Sequence, residues 1–156
     1  VLIPSAGLLV TGIVLLVIDL ARTGGTKAAK DANLSDAMWI GLCQGISVFP
    51  GLSRSGLTIS AGLMSGFSRT FAVKYSYILS IPAIIGSLIM ELGQFGSPAM
   101  TVGLGFAYVL GMIVSGVTAF LVIRYCLKLV HKGRFRVFAI YCFVIGLVTL
   151  IINHML

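Results

Sequence analysis

The chain has 156 residues, 58% of them hydrophobic and only 10% charged, with a net charge of +7. A soluble domain carries about 25% charged residues, so the composition excludes an ordinary soluble enzyme and points to an all-α polytopic membrane protein. Continuous rather than alternating apolar stretches argue against a membrane β-barrel, and basic residues falling mainly in short connections between those stretches follow the positive-inside pattern, which argues against nucleic acid as a partner.

In chain order, the first apolar span covers about 1–20, and Asp19 and Arg22 mark its exit. Val1 lies inside an apolar run with no initiator methionine, which leads to the expectation of a fragment. A polar connector from Ala21 to Asp36 carries Lys27 and Lys30, and Ser35 or Asp36 is the expected cap of the next helix. Two apolar pieces follow, Ala37 to Phe49 and Leu57 to Phe67. Each has about 11 to 13 residues and is too short to cross a hydrocarbon core about 30 Å thick. The pattern therefore predicts a re-entrant helix-loop-helix hairpin over 37–67 that enters and leaves on one side.

Arg69 and Lys74 mark that side again. A span over 71–92 follows, with Pro82 an expected kink, then an uncharged turn from Gly93 to Pro98 and a span over 101–123. Arg124, Lys128, Lys132, Arg134 and Arg136 form a basic connector, and the last span covers 137–152. The whole, 1–156, reads as a single transmembrane domain. With the hairpin re-entrant, every Lys/Arg-rich connector falls in the cytoplasm and the uncharged turn outside; with 37–67 as one crossing, the basic connectors would be split between two sides. The span from Thr101 repeats small residues at Gly103, Ala107, Gly111, Ser115 and Ala119, a stripe that suits close helix packing. Cys43, Cys126 and Cys142 lack metal spacing and read as packing residues.

The informative segment is the break in the hairpin, Pro50-Gly51-Leu52-Ser53-Arg54-Ser55-Gly56. An arginine at the bilayer centre costs about 2.5 kcal/mol or more, so a chain that keeps one there has something anionic for it to hold. Pro50 ends the first half-helix, Gly51 permits a tight reversal, and Ser53 or Ser55 can cap the second half-helix. The free N–H groups at that helix start attract anions. The Arg54 guanidinium adds a planar fork suited to phosphate oxygens. Thr58 offers a further hydroxyl, and Gln44 either faces the same cavity or bonds across helices. The alternative, that Arg54 pairs with a carboxylate to hold helices together, has only Asp19, Asp31, Asp36 and Glu91 to draw on. His131 and His154 have no spaced partner for metal binding or base catalysis.

From Gln44 to Gly86 the chain resembles the bacitracin-resistance type undecaprenyl-diphosphate phosphatases (BacA/UppP). The resemblance is carried by Pro50-Gly51, Ser53-Arg54-Ser55-Gly56, Thr58-Ile59, Gly62, Gly66, Arg69, Ala72, Ser76, Pro82 and Gly86. It implies a multi-pass hydrolase of the bacterial inner membrane that removes the terminal phosphate of undecaprenyl diphosphate, recycling the carrier lipid of peptidoglycan and cell-wall synthesis. It also implies an inverted-repeat fold of which this chain is the carboxy-terminal half. Arg54 would then hold the diphosphate, and Ser53 would bond a phosphate oxygen or serve in the chemistry. Gly51, Ser55 and Gly56 would shape the binding loop. The family's other motif, acidic Glu/Gln-x-x-x-Glu followed by a Ser/Thr-rich loop ending in His, is absent here. A divalent cation (Mg or Ca) would therefore find its ligands on the missing amino-terminal half, and no metal ligand is assigned in this chain. The expected partners are that half, a polyprenyl diphosphate and the membrane, with a homodimer left open. The 156 residues alone are expected to be inactive, and the cavity is expected to open outward. Rival readings are a lipid-phosphate or anion transporter using the same loop, and a scaffold subunit that would tolerate Arg54→Lys.

Overall fold

The computed structural model describes residues 2–21, 24–91, 102–131 and 135–155. Six α-helices appear in order: α1 (Leu2–Leu20), α2 (Leu34–Ile46), α3 (Arg54–Met64), α4 (Arg69–Glu91), α5 (Val102–His131) and α6 (Phe135–Met155), with a 3₁₀ turn at Ala29–Asp31. Among the described residues there is no strand, only an isolated bridge between Lys27 and Phe67. Helices α1, α4, α5 and α6 are each long and apolar enough to cross a membrane. The uncharged turn from Gly93 to Pro98, Arg22, Lys132 and Arg134 lie outside the described residues.

The contacts divide the chain into two units, Val1–Tyr77 with Leu129–Leu156, and Ile78–Lys128. In the first, α1 packs along α6 and also touches α3, which packs on α2. Asp19 of α1 pairs with Arg136 of α6 at 2.8 Å. A Cβ at Gly12 would meet the Phe143 ring, and one at Gly146 would meet Leu9. As the position on α1 falls from 19 to 9, its partner on α6 rises from 136 to 146, so the two helices run antiparallel. The second unit holds most of α5, whose candidate span is wholly unburied. Ala107, Gly111, Ser115 and Ala119 of the small-residue stripe are exposed on it.

Helices α2 and α3 both begin about three residues earlier than the apolar pattern suggests, and the caps explain why. Asn33, rather than Ser35 or Asp36, caps α2: its Oδ1 accepts the Asp36 N–H at 2.9 Å, and Asp36 Oδ2 accepts the Asn33 N–H at 3.2 Å, a reciprocal capping box. Asp36 also takes the Lys27 ammonium at 3.2 Å. Helix α3 ends in a Schellman turn. The Phe67 N–H bonds the Gly62 carbonyl at 3.0 Å and the Gly66 N–H bonds Leu63 at 3.1 Å, with Gly66 at φ +84° where a side chain would be strained.

Both ends of this short hairpin return to the segment that follows α1. Lys27 grips Asp36 at the start of α2. On the far side of α3, the Gly25 N–H bonds Phe67, the Lys27 N–H bonds Gly66, and the Ser68 N–H bonds Lys27, all within 3.0–3.1 Å. Phe67, Phe71 and Tyr75 stack beside this junction, and Phe67 is fully buried.

Candidate functional site

The loop between α2 and α3 runs from Ser47 to Ser53. Its centre is a β-turn: the Leu52 N–H bonds the Phe49 carbonyl at 3.2 Å, with Pro50 and Gly51 at the two corners. Gly51 adopts φ +90°, which is the second corner of a type II turn and the reason glycine stands there. A side chain at Gly51 would also overlap the Pro4 carbonyl of α1. Gly7 makes the reciprocal approach, since a Cβ there would sit 2.6 Å from the Pro50 oxygen.

Ser53 is the N-cap of α3, with extended backbone (φ −75°, ψ 111°). Its Oγ accepts the Gly56 N–H at 3.1 Å, and its carbonyl accepts Leu57 at 2.9 Å. Accepting a hydrogen bond leaves the Ser53 hydroxyl proton free to donate. The next two backbone N–H groups, of Arg54 and Ser55, have no acceptor among the described residues. These are the orphan donors that give a helix start its partial positive charge. Arg54 and Ser55 are exposed, and Gly56 is buried beneath them. The loop thus offers two free N–H groups, two hydroxyls and a guanidinium from three consecutive residues, a set of donors with no negative charge among them.

Arg54 is not used to tie helices together. Asp19 is engaged by Arg136, Asp36 by Lys27, and Asp31 accepts the Ala28 N–H at 3.1 Å. Glu91 belongs to the second unit. Among the described residues Arg54 forms no ion pair.

Thr58 is positioned differently from its neighbours. It is 2% exposed, donates to the Arg54 carbonyl at 2.9 Å, and lies 2.5 Å from the Ser76 hydroxyl of α4. Its hydroxyl is committed to holding α3 against α4. Gln44 sits half-buried in the last turn of α2, where its carbonyl accepts the Ser47 hydroxyl at 2.6 Å. The structure therefore gathers Gly51, Ser53, Arg54, Ser55 and Gly56 in one loop, with Thr58 in the scaffold behind it.

Sequence reasoning identifies α1 as a span but assigns it no part in the loop. Thr11, 1% exposed, accepts the Ser53 N–H on its Oγ1 at 3.0 Å and donates to the Gly7 carbonyl at 3.0 Å. Pro4, Gly7 and Thr11 fall at i, i+3 and i+7, one face of the helix. The available signal was a glycine and a hydroxyl one turn apart, Gly7 and Thr11, in a predominantly apolar span.

Among the described residues no three carboxylate, imidazole or thiol groups converge.

Comparison with known proteins bears on this geometry. A family model described as "Bacitracin resistance protein BacA" matches residues 1–148. A protein of Desulforapulum autotrophicum named undecaprenyl-diphosphatase is 42% identical over 153 residues, covering 96% of this chain and 53% of that protein. Proteins of the same name from Korarchaeum cryptofilum and Methanosphaera stadtmanae are 39% and 36% identical, covering 95% and 96% of this chain and 53% and 52% of their own lengths. The chain spans about half the length of the curated relatives it matches.

Proposed function

The chain belongs to the bacitracin resistance protein BacA family, and from that membership we propose that it supplies the phosphate-gripping half of a membrane phosphatase acting on undecaprenyl diphosphate. The observation that carries the reading is the Ser53–Gly56 loop, whose guanidinium and free N–H groups have no acidic partner among the described residues. The relatives' shared name supplies the substrate; no feature of the loop or of those names favours the carrier reading.

In this proposal Arg54 forks the diphosphate oxygens, and the Arg54 and Ser55 N–H groups with the Ser53 hydroxyl neutralise charge on the terminal phosphoryl group. Attack at the terminal phosphorus breaks its bond to the bridging oxygen, and water supplies the oxygen that replaces it on the released phosphate. Undecaprenyl phosphate leaves with that oxygen, and inorganic phosphate is released. Ser53 acts as a donor, since its oxygen already serves as the α3 cap. The attacking group, its base and any divalent cation are assigned to residues outside this chain, within the amino-terminal half of a full-length protein. That half would also close the cavity over Arg54.

We further propose that α2–loop–α3 is re-entrant, in one half of an inverted repeat within the inner membrane. Both hairpin ends are tied to residues 25–27 beside the end of α1, and each helix is about 20 Å long or less, short of the hydrocarbon thickness. Thr11 stands midway along α1 (Leu2–Leu20), so its bond to Ser53 sets the α3 start near mid-membrane depth. The basic residues Lys27, Arg69 and Arg136 gather at the end of α1 that carries Asp19, which becomes the cytoplasmic face. The loop then opens outward. A cysteine placed at Ser53 and labelled only by a cytoplasmic-side reagent would contradict that orientation.

The decisive assay is phosphate release from undecaprenyl diphosphate in proteoliposomes holding the full-length protein. Arg54→Ala is expected to lower kcat on the order of a hundredfold or more. Retention of activity within about threefold would remove the loop from the reaction.

A further inference from the structure

We infer that Thr11 is a positioning residue for the phosphate-binding loop, acting through the backbone N–H of Ser53. The inference rests on the phosphatase reading and adds a residue from a helix that the loop motif does not include. Ser53 is held between two hydrogen bonds. Its Oγ accepts the Gly56 N–H inside α3, and its own N–H is accepted by Thr11 Oγ1 from α1, 42 residues away in sequence. The first bond fixes the side chain relative to α3; the second fixes the backbone of the cap relative to the rest of the protein. The direction of the free Arg54 and Ser55 N–H groups follows from that backbone.

Three further contacts show that this face of α1 is shaped for the loop. The Thr11 hydroxyl hydrogen is anchored on the Gly7 carbonyl, which leaves its oxygen lone pair directed at Ser53. The Thr11 methyl lies 3.4 Å from where a Cβ on Gly56 would be. One turn away, Gly7 lets the Pro50-Gly51 backbone approach to a distance no side chain would permit. Thr11 is 1% exposed, so no water stands in for its oxygen if it is removed. Its role differs from that of Thr58, whose hydroxyl bonds tie α3 to α4 without touching a group that faces the anion.

Removing the acceptor should leave the long Arg54 side chain able to capture the diphosphate while the N–H groups drift from the position the transition state needs. Such a shift costs kcat rather than KM. The test uses the full-length protein in proteoliposomes with undecaprenyl diphosphate, comparing Thr11→Val, Thr11→Ser, Thr11→Cys and Arg54→Ala. Thr11→Val is expected to lower kcat about tenfold to a hundredfold with KM within about threefold, while Thr11→Ser stays within about threefold of the parent. Thermal midpoints and monodispersity are measured on every variant. Should Thr11→Val not fold, Thr11→Cys against Thr11→Ser makes the same comparison at nearly equal size, because sulfur is a weak acceptor. Equal kcat for the serine and cysteine variants, or an unchanged Thr11→Val beside a dead Arg54→Ala, overturns the inference and leaves the phosphatase reading standing. An active Arg54→Ala overturns that reading and this inference with it.

Discussion

The hydroxyl oxygens of Thr58 and Ser76 lie 2.5 Å apart, buried between α3 and α4. Thr58 also donates to the Arg54 carbonyl, so the first turn of α3 is bound both to itself and to the neighbouring helix. The Thr58 hydroxyl braces the start of α3 from behind.

This bracing predicts a specific coupling. Thr58→Val leaves the buried Ser76 hydroxyl short of a partner and should cost about 1–3 kcal/mol. Adding Ser76→Ala should recover part of that loss rather than double it, since both ends of the pair are then gone. Thermal inactivation of detergent-purified single and double variants checks this; simple additivity would mean that the pair is not coupled.

Gly51 should tolerate no side chain. Its φ of +90° costs an L-residue about 1–3 kcal/mol, and the Pro4 carbonyl occupies the space a Cβ would need. Gly51→Ala is expected to reduce the yield of monodisperse protein and to abolish activity in what remains. Size-exclusion profiles and phosphate release on the same preparation measure both effects. By contrast, Gly41 has nothing within 4 Å of a built Cβ, and Gly41→Ala serves as the neutral control.

Arg54→Lys separates a phosphate clamp from a scaffold. Lysine keeps the charge but loses the planar fork that bonds two oxygens at once. The expected outcome is a fall of roughly tenfold to a hundredfold in kcat/KM for undecaprenyl diphosphate, with an unchanged thermal midpoint, because Arg54 is exposed and makes no ion pair among the described residues. Parent-like activity would favour a residue that needs only to be positive.

The 156 residues by themselves are expected to release no phosphate from undecaprenyl diphosphate. Asp19, Asp31 and Asp36 are all engaged away from the loop, and charge neutralisation without a base and a positioned nucleophile does not complete the reaction. Purified segment, alone and mixed with the amino-terminal half of a relative, provides the comparison. Turnover by the segment alone would show that the catalytic set is already present in it.

Much of this protein is written in local signals. Spans of about twenty apolar residues dictate membrane helices, because no other uninterrupted segment satisfies its own backbone in lipid. Pro50-Gly51 between two half-length apolar pieces dictates a break, and Ser53 followed by Arg54 dictates a capped helix start carrying a cation. Each signal acts over a few residues, so it survives in sequence. Helix starts were less legible: Asn33 and Ser53 begin α2 and α3 ahead of their apolar runs, since a cap is set by hydrogen bonding and not by hydropathy. What the three-dimensional structure alone decided is which faces meet. The seat of the loop is Pro4, Gly7 and Thr11 on α1. Thr58 turned to Ser76, Asp19 paired with Arg136, and α1 and α6 aligned antiparallel. Those outcomes join residues 18 to more than 100 positions apart, and they rest on the fit of backbone against backbone at glycine and on single hydroxyls, which no local pattern encodes.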